Sequence, residues 1–388
     1  MNLGIYIQVP FCQRKCTYCN FSTGVFERSL YAPYVQAVCR ELSEHETLYR
    51  RAGLELPGTP NRAGVDTVYL GGGTPSLLDA AALCRIVDTV RQGFPCQLVE
   101  VTLEADPETV TREKVAGWRS AGINRISLGA QSFDDRELAA AGRIHRQQDI
   151  LEALRHLRAA GFHNVSLDLI AGLAHQTRAT WKESLARLVD LRPEHASIYL
   201  LEIDEGSRLG REALAGGLRY GAGALPNDDA QAAFYEHAQE RLAQAGYEHY
   251  EISNWALPGL RSRHNSKYWR REPYLGFGAG AHSFNGRKRW ANVRDPTLYI
   301  AAIAKGTFPG EQVLAVTPEQ ALEEELFLGL RQLEGIELAR IEKKYHASLY
   351  RRVEGLRESG LVEFDGQRLR LMPSRLTVAN EAFIRLLD

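Results

Sequence analysis

YIQVPFCQRKCTYCNF, Tyr6 to Phe21, passes from an alternating apolar run into a loop that carries three cysteines at i, i+4 and i+7. The run Ile5 to Val9 predicts a β-strand, so the three thiols leave one strand end together. Such a loop can wrap Cys12, Cys16 and Cys19 around three corners of a cubane iron–sulfur cluster, for which thiolates are the usual ligands. Phe21 stands where a nearby fourth cysteine would sit, which leaves one iron of a [4Fe–4S] cluster open to a small molecule. A structural zinc site is the competing reading. It asks for a second CxxC or a Cys/His pair at finger-like spacing, and none follows. Cys39, Cys84 and Cys96 stand alone in apolar contexts and read as small core residues.

Outward from this loop, short apolar runs alternate with longer helical patterns. Ile5–Val9, Thr67–Leu70, Leu98–Leu103, Arg125–Leu128, Val165–Ile170 and Ser197–Leu201 read as strands. Between them Tyr34–Tyr49, Ala80–Arg91, Arg112–Ala121, Ile150–Ala160 and Thr180–Leu191 read as helices, the last three followed by Gly122, Gly161 and Pro193 as stops. Six β/α units in about 200 residues predict an α/β fold built as a partial (β/α)6 barrel, open on one side, in place of a complete eight-unit barrel. From Asn227 the pattern loosens, and the Gly/Pro-rich run Pro258 to Gly286 is expected to form loops and short strands on the barrel's flank. Beyond Pro318, helical patterns at Gln320–Arg331, Leu338–Tyr345 and Leu349–Ser359 lead into Leu361–Phe364, Asp365-Gly366 and Leu369–Leu371. An Asp-Gly pair between apolar runs signals a hairpin, so this end is expected to be a small winged-helix-like α+β domain. The expected division is therefore 1–235 for the barrel, 236–317 for the flanking segment and 318–388 for the C-terminal domain.

Composition sets the outer limits. The chain has 388 residues, 44% hydrophobic and 24% charged, as expected of a globular protein with a sizeable core. Lys and Arg total 47 against 48 Asp and Glu, so no global positive field exists to hold a phosphate backbone, and nucleic acid is not an expected partner. The N-terminus lacks a basic region followed by an apolar one, and no stretch approaches the roughly 20 apolar residues that span a bilayer. A cytoplasmic protein is expected, with peripheral membrane contact left open.

CQRKCTYC matches the CxxxCxxC signature of the radical S-adenosylmethionine superfamily. Together with YIQVPFC, GGGTPS, LEADPE, GINRISLGAQSF, NVSLDLIAGL, HYEISNWA, HNSKYW and YLGFGAGAHSF, it makes the chain resemble the oxygen-independent coproporphyrinogen III oxidase family, and within it the HemW-type heme chaperone branch. The resemblance implies that S-adenosylmethionine binds at the open iron. It places Gly72, Gly73 and Thr74 at the methionine amino group and Glu104 at the ribose hydroxyls. It also puts Gln131, Arg143 and Asp168 on the same pocket, with Tyr6 as an aromatic contact. Taken singly, Glu104 and Asp168 read equally as satisfied polar strand ends, and Arg143 as a surface charge. Gln8 stands where the family commonly has His, Asn20 replaces a common Asp, and LAHQT near His175 replaces the usual LPGQT.

HNSKYW, His264 to Trp269, points towards heme by its likeness to the HNxxYW motif of the chaperone branch. His264 is then the candidate iron ligand, Tyr268 and Trp269 lie against the macrocycle, and His282 is a second candidate ligand. The competing reading of His264 is a satisfied structural histidine. The resemblance thus implies a chaperone that binds heme and transfers it to an acceptor protein not identified by the sequence. The alternative is oxidative decarboxylation of coproporphyrinogen III to protoporphyrinogen IX by a radical route. The oxidases of the family carry an N-terminal extension and a Cys at the position of Phe21, and neither precedes nor follows Cys12 here. No catalytic residue is singled out.

Overall fold

The computed structural model of the chain describes residues 2–57 and 64–387. Six parallel strands form the barrel wall: β1 Leu3–Val9, β2 Val65–Gly72, β3 Cys96–Ala105, β4 Arg125–Gln131, β5 Val165–Ala171 and β6 His195–Leu200, paired in that order. The first five are each followed by a helix on the outer face, α1 Tyr31–Arg51, α2 Ala80–Gly93, α3 Arg112–Ser120, α4 Asp135–Ala140 with α5 Gln147–Ala159, and α6 Arg178–Leu191. Side chains cap several starts: Asp79 accepts from the Ala82 amide at 2.7 Å, and Thr177 closes a capping box with Thr180. The strands are buried almost throughout, with polar residues such as Arg125 and Ser127 on β4, Ser166 and Asp168 on β5 and Ser197 on β6 set among apolar ones. The partial α/β barrel read from the periodicity is the fold observed.

Beyond β6 the sheet continues on both edges. Helix Asp228–Gln244 runs across the expected division at residue 235 and leads into β7 Glu248–Glu251 and β8 Asn254–Ala256, the latter antiparallel to β6. On the other edge β9 Tyr274–Phe277 pairs parallel with β1, and β10 His282–Phe284, β11 Lys288–Asn292 and β12 Gly310–Ala315 follow antiparallel. The run Pro258 to Gly286, expected as loops and short strands, also holds a helix, Arg263–Trp269. Among the described residues these twelve strands make one sheet.

The C-terminal unit packs helices Pro318–Leu330, Leu338–Tyr345 and Tyr350–Glu358 against a small antiparallel sheet of Ile336–Glu337, Val362–Phe364 and Arg368–Leu371. The Asp365-Gly366 turn joins the last two strands, as its sequence predicted. Glu324 ties this unit to the barrel's flank by accepting from Arg271 at 2.6 Å and Arg289 at 2.7 Å. Among the described residues no helix is long and apolar enough to cross a membrane.

Candidate cofactor site

A cavity of about 470 Å³ opens at the C-terminal ends of the barrel strands, and Cys12, Cys16 and Cys19 all line it. The loop that carries them is fastened by backbone bonds: Cys12 N–H donates to Gly24 at 2.9 Å and Thr17 N–H to Ala141 at 3.0 Å. Burial pushes the Cys12 thiol up to about 11 and raises Cys16 as well, the second against the opposing charge of Arg143, whose guanidinium donates to the Cys16 sulfur at 3.5 Å. Among the described residues no three His, Cys, Asp or Glu side chains are gathered as ligands of a single ion. The fit to a cluster rests on the donor set, three thiols on one cavity, and on the space kept beside them.

That space is kept by glycine. A Cβ on Gly73 would stand 2.6 Å from the Phe11 carbonyl and 3.1 Å from the Cys12 sulfur, and one on Gly72, already at φ +110°, would meet Gln8 at 2.4 Å. The Gly73 and Thr74 amides donate to Val9 and Phe11 at 2.8 and 2.7 Å, while Gly72 N–H donates to Glu104 at 2.9 Å. All three amides are thus already engaged, and an ammonium group, itself a donor, would take acceptors in place of them. Gln8 accepts from Tyr6 at 2.6 Å and is buried behind Gly72, so the residue that replaces the family's His serves to pack the strand ends.

Three carboxylates share the wall. Glu104 accepts from Tyr69 at 2.9 Å as well as from Gly72, and burial pushes it up to about 7, with Asp168 and Asp106 adding to the rise. Asp168 accepts from Ser127 and Ser166, each at 2.9 Å, and burial raises it too. Asp106 accepts from Thr74 at 2.8 Å and pairs with Arg143, which also donates to the Gly129 carbonyl at 3.0 Å. Gln131 ends β4 at φ 65°, a left-handed backbone that non-glycine residues adopt at a cost of about 1 kcal/mol or more. The structure thus brings Gly72, Gly73, Thr74, Glu104, Gln131, Arg143 and Asp168 onto the cavity of the three cysteines. Tyr6 is not among its lining residues; it stacks on Tyr69 with centroids 6.1 Å apart.

HNSKYW lies elsewhere. Its helix closes the opposite, N-terminal end of the barrel, held by Glu100, which accepts from the Arg263 and His264 amides at 2.8 and 2.9 Å. Lys267 donates to the Asn2 carbonyl at 2.9 Å and pairs with Asp66. His264 is 1% exposed, with Nδ1 bonded to Thr67 at 3.0 Å and Nε2 to Tyr268 at 2.9 Å, and burial lowers its pKa to about 3. Trp269 lies under the Arg331 guanidinium, and of the six motif residues only Asn265 lines the cavity. His282, on β10, is exposed.

Sequence reasoning missed Asp106 and Arg125. The signal was present in RISLGAQ: alternation along β4 sends Arg125, Ser127, Gly129 and Gln131 to one face, and all four line the cavity.

The family model of the radical SAM superfamily matches residues 6–188, and that of the HemN C-terminal domain matches 316–374. The chain is 33% identical to the heme chaperone HemW of Bacillus subtilis, over 97% of each chain. It is 38% identical to HemW of a Synechocystis species, over 88% of this chain and 81% of that one. HemW of Escherichia coli is 35% identical over 72% and 69%. The solved structure of coproporphyrinogen III oxidase from Escherichia coli matches the fold with a TM-score of 0.81 at 20% identity, covering 99% of this chain and 90% of that one.

Proposed function

Because this chain belongs to the HemW heme chaperone family of the radical SAM superfamily, we propose that it binds heme and passes it to an acceptor protein, with a [4Fe–4S] cluster on Cys12, Cys16 and Cys19. The observation that supports the cofactor reading is the single cavity shared by three thiols, a glycine cradle and three carboxylates. A bound cluster supplies an open iron for S-adenosylmethionine and a source of single electrons. The chain's own residues hold and orient: Gly72, Gly73 and Thr74 flank the methionine end, Glu104 and Asp168 offer acceptors to hydroxyls, and Gln131 and Arg143 close the wall, with Tyr6 supporting it from behind Tyr69. The cytoplasm as its place of work, peripheral contact with a membrane, and the division into barrel, flanking and C-terminal segments belong to the same proposal.

Glu104→Ala is expected to weaken adenosylmethionine binding by about 1.5–3 kcal/mol, ten- to a hundredfold, while iron content stays the same. The pH dependence has a definite sign. With its carboxyl held up to about 7, Glu104 loses its acceptor role as pH falls through that value, so affinity should weaken on the acid side. Calorimetry at pH 8 and pH 6 reads both effects, and an affinity independent of residue 104 removes it from the site.

Heme binding is tested by titration at the Soret band. About one heme per chain is expected, without conversion of coproporphyrinogen III under anaerobic, reducing conditions. Conversion at ordinary turnover, on the order of one per second or more, together with no heme binding would replace the chaperone with the oxidase. His264 reaches heme iron only if its ring releases Tyr268 and its helix leaves the barrel floor, with Tyr268 and Trp269 then free to lie on the macrocycle; His282 is accessible without that movement. His282→Ala is therefore expected to move the Soret maximum of the resting protein. His264→Ala moves it only if the helix withdraws, and otherwise lowers folding stability alone.

A further inference from the structure

Arg125 opens β4 at the end of the barrel remote from the cysteines, and its side chain points into the same cavity that they line. It is 1% exposed, yet its Nε and Nη1 groups have no hydrogen-bond partner. The carboxylates whose charge it feels, Glu100 and Asp168, are engaged elsewhere. Glu100 caps the helix Arg263–Trp269 by accepting two backbone amides, and Asp168 accepts from Ser127 and Ser166. Arg143, the other guanidinium on this cavity, is different: it is already paired with Asp106 and bonded to Gly129. A buried guanidinium with unused donors is strongly unfavourable unless an anion completes it, and its planar fork matches a carboxylate.

We propose that Arg125 is a carboxylate-binding group inside the barrel, completing its donors on the small molecule that occupies the lower part of the cavity between Tyr69, Ser127 and Asn265. Glu104, in register with Ser127, and Asp168, bonded to Ser127, stand just above it on the wall, and none of the contacts assigned above uses the Arg125 guanidinium. The choice of candidate ligands rests on the proposed function. Two molecules in that reading carry carboxylates: heme through its propionates, and adenosylmethionine through its amino-acid end, which reaches Arg125 only in a pose reversed from the one flanked by Gly72, Gly73 and Thr74.

The test removes the carboxylate from each ligand in turn. Affinities of heme and heme dimethyl ester, and of adenosylmethionine and its decarboxylated analogue, are measured on the cluster-loaded wild-type protein, on Arg125→Gln and on Arg125→Lys. In one of the two arms, loss of the carboxylate is expected to weaken wild-type binding about tenfold or more and to leave Arg125→Gln unaffected, with Arg125→Lys between them because a point charge replaces the fork. The arm that responds identifies the source. Equal ratios in wild type and Arg125→Gln in both arms overturn the proposal and leave Arg125 to solvent alone. Should Arg125→Gln lose its iron or its circular dichroism, Arg125→Lys carries the comparison. If heme fails to bind at all, the chaperone reading falls, while the adenosylmethionine arm still decides Arg125.

Discussion

Replacing Cys12, Cys16 or Cys19 with Ala is expected to take the anaerobically reconstituted protein from about four irons per chain to almost none, with loss of the broad absorption near about 400 nm. The loop itself should survive, since its shape does not depend on a thiol. Cys12 N–H on Gly24, Thr17 N–H on Ala141 and Leu209 N–H on the Thr17 carbonyl hold it by backbone bonds at 2.9, 3.0 and 2.8 Å. Circular dichroism and melting of the apo forms should therefore stay close to wild type. The same substitution at Cys39, Cys84 or Cys96 should leave iron in place, because none of the three lines the cavity. Cys84 instead donates to Asp88 on its own helix, and Cys96 packs at the edge of the core. Iron binding must displace thiol protons, and burial holds Cys12 at about 11, so loading should fall as pH is lowered. One zinc per chain with no uptake of iron would end the cluster reading.

Much of this site could be read from sequence because its residues sit where two strong local signals meet. Apolar runs of strand length mark where β1 to β4 end, and Cys12, Gly72, Glu104 and Gln131 lie at or just beyond those ends, while Asp168 sits in the middle of β5. What escaped has physical causes. Helix Asp228–Gln244 buries only Phe234, Tyr235, Ala238 and Leu242, and alanines on its other faces blur the stripe that would reveal it. Helix Arg263–Trp269 has only seven residues, and its local cap, Ser262, is joined by Glu100 from 163 residues away. The same distance effect governs His264. Its sequence neighbours are aromatic, which suggests a macrocycle, but its ring is spent on one of them, Tyr268, and on Thr67, 197 residues away at the barrel floor. For Arg125 the alternation in RISLGAQ marks a shared face with Ser127, Gly129 and Gln131 but does not say what that face meets. Only the closed barrel shows that it faces a cavity.

Glu41→Ala is expected to be the most destabilising single change outside the cavity. Glu41 lies on α1 with 0% exposure, and its carboxyl accepts from the Gly278 amide at 2.9 Å, the Asn292 amide group at 2.8 Å and the Tyr299 hydroxyl at 2.6 Å. These donors belong to the loop after β9, to β11 and to helix Pro296–Ala304, so one side chain fastens the flanking strands to the barrel. Removing it leaves the Gly278 amide and the Tyr299 hydroxyl without an acceptor and the Asn292 amide group with the Gly278 carbonyl alone, for a loss of about 3–5 kcal/mol, read from the denaturant midpoint. Glu41→Gln separates charge from hydrogen bonding. Burial raises the Glu41 carboxyl from 4.5 to about 7, which means the fold favours its neutral form. That contribution is fully present below about pH 4.5 and is lost as pH rises through about 7, amounting to about 3 kcal/mol over the window. Glu104 shifts the same way over the same range in the unliganded protein, so the informative quantity is the difference between wild type and Glu41→Gln at each pH. Wild type should lose ground to Glu41→Gln between pH 5 and pH 8, on the order of two to three kcal/mol. A difference that stays constant across that range would show that Glu41 keeps its charge state on folding, and that its three donors hold a carboxylate as readily as an acid.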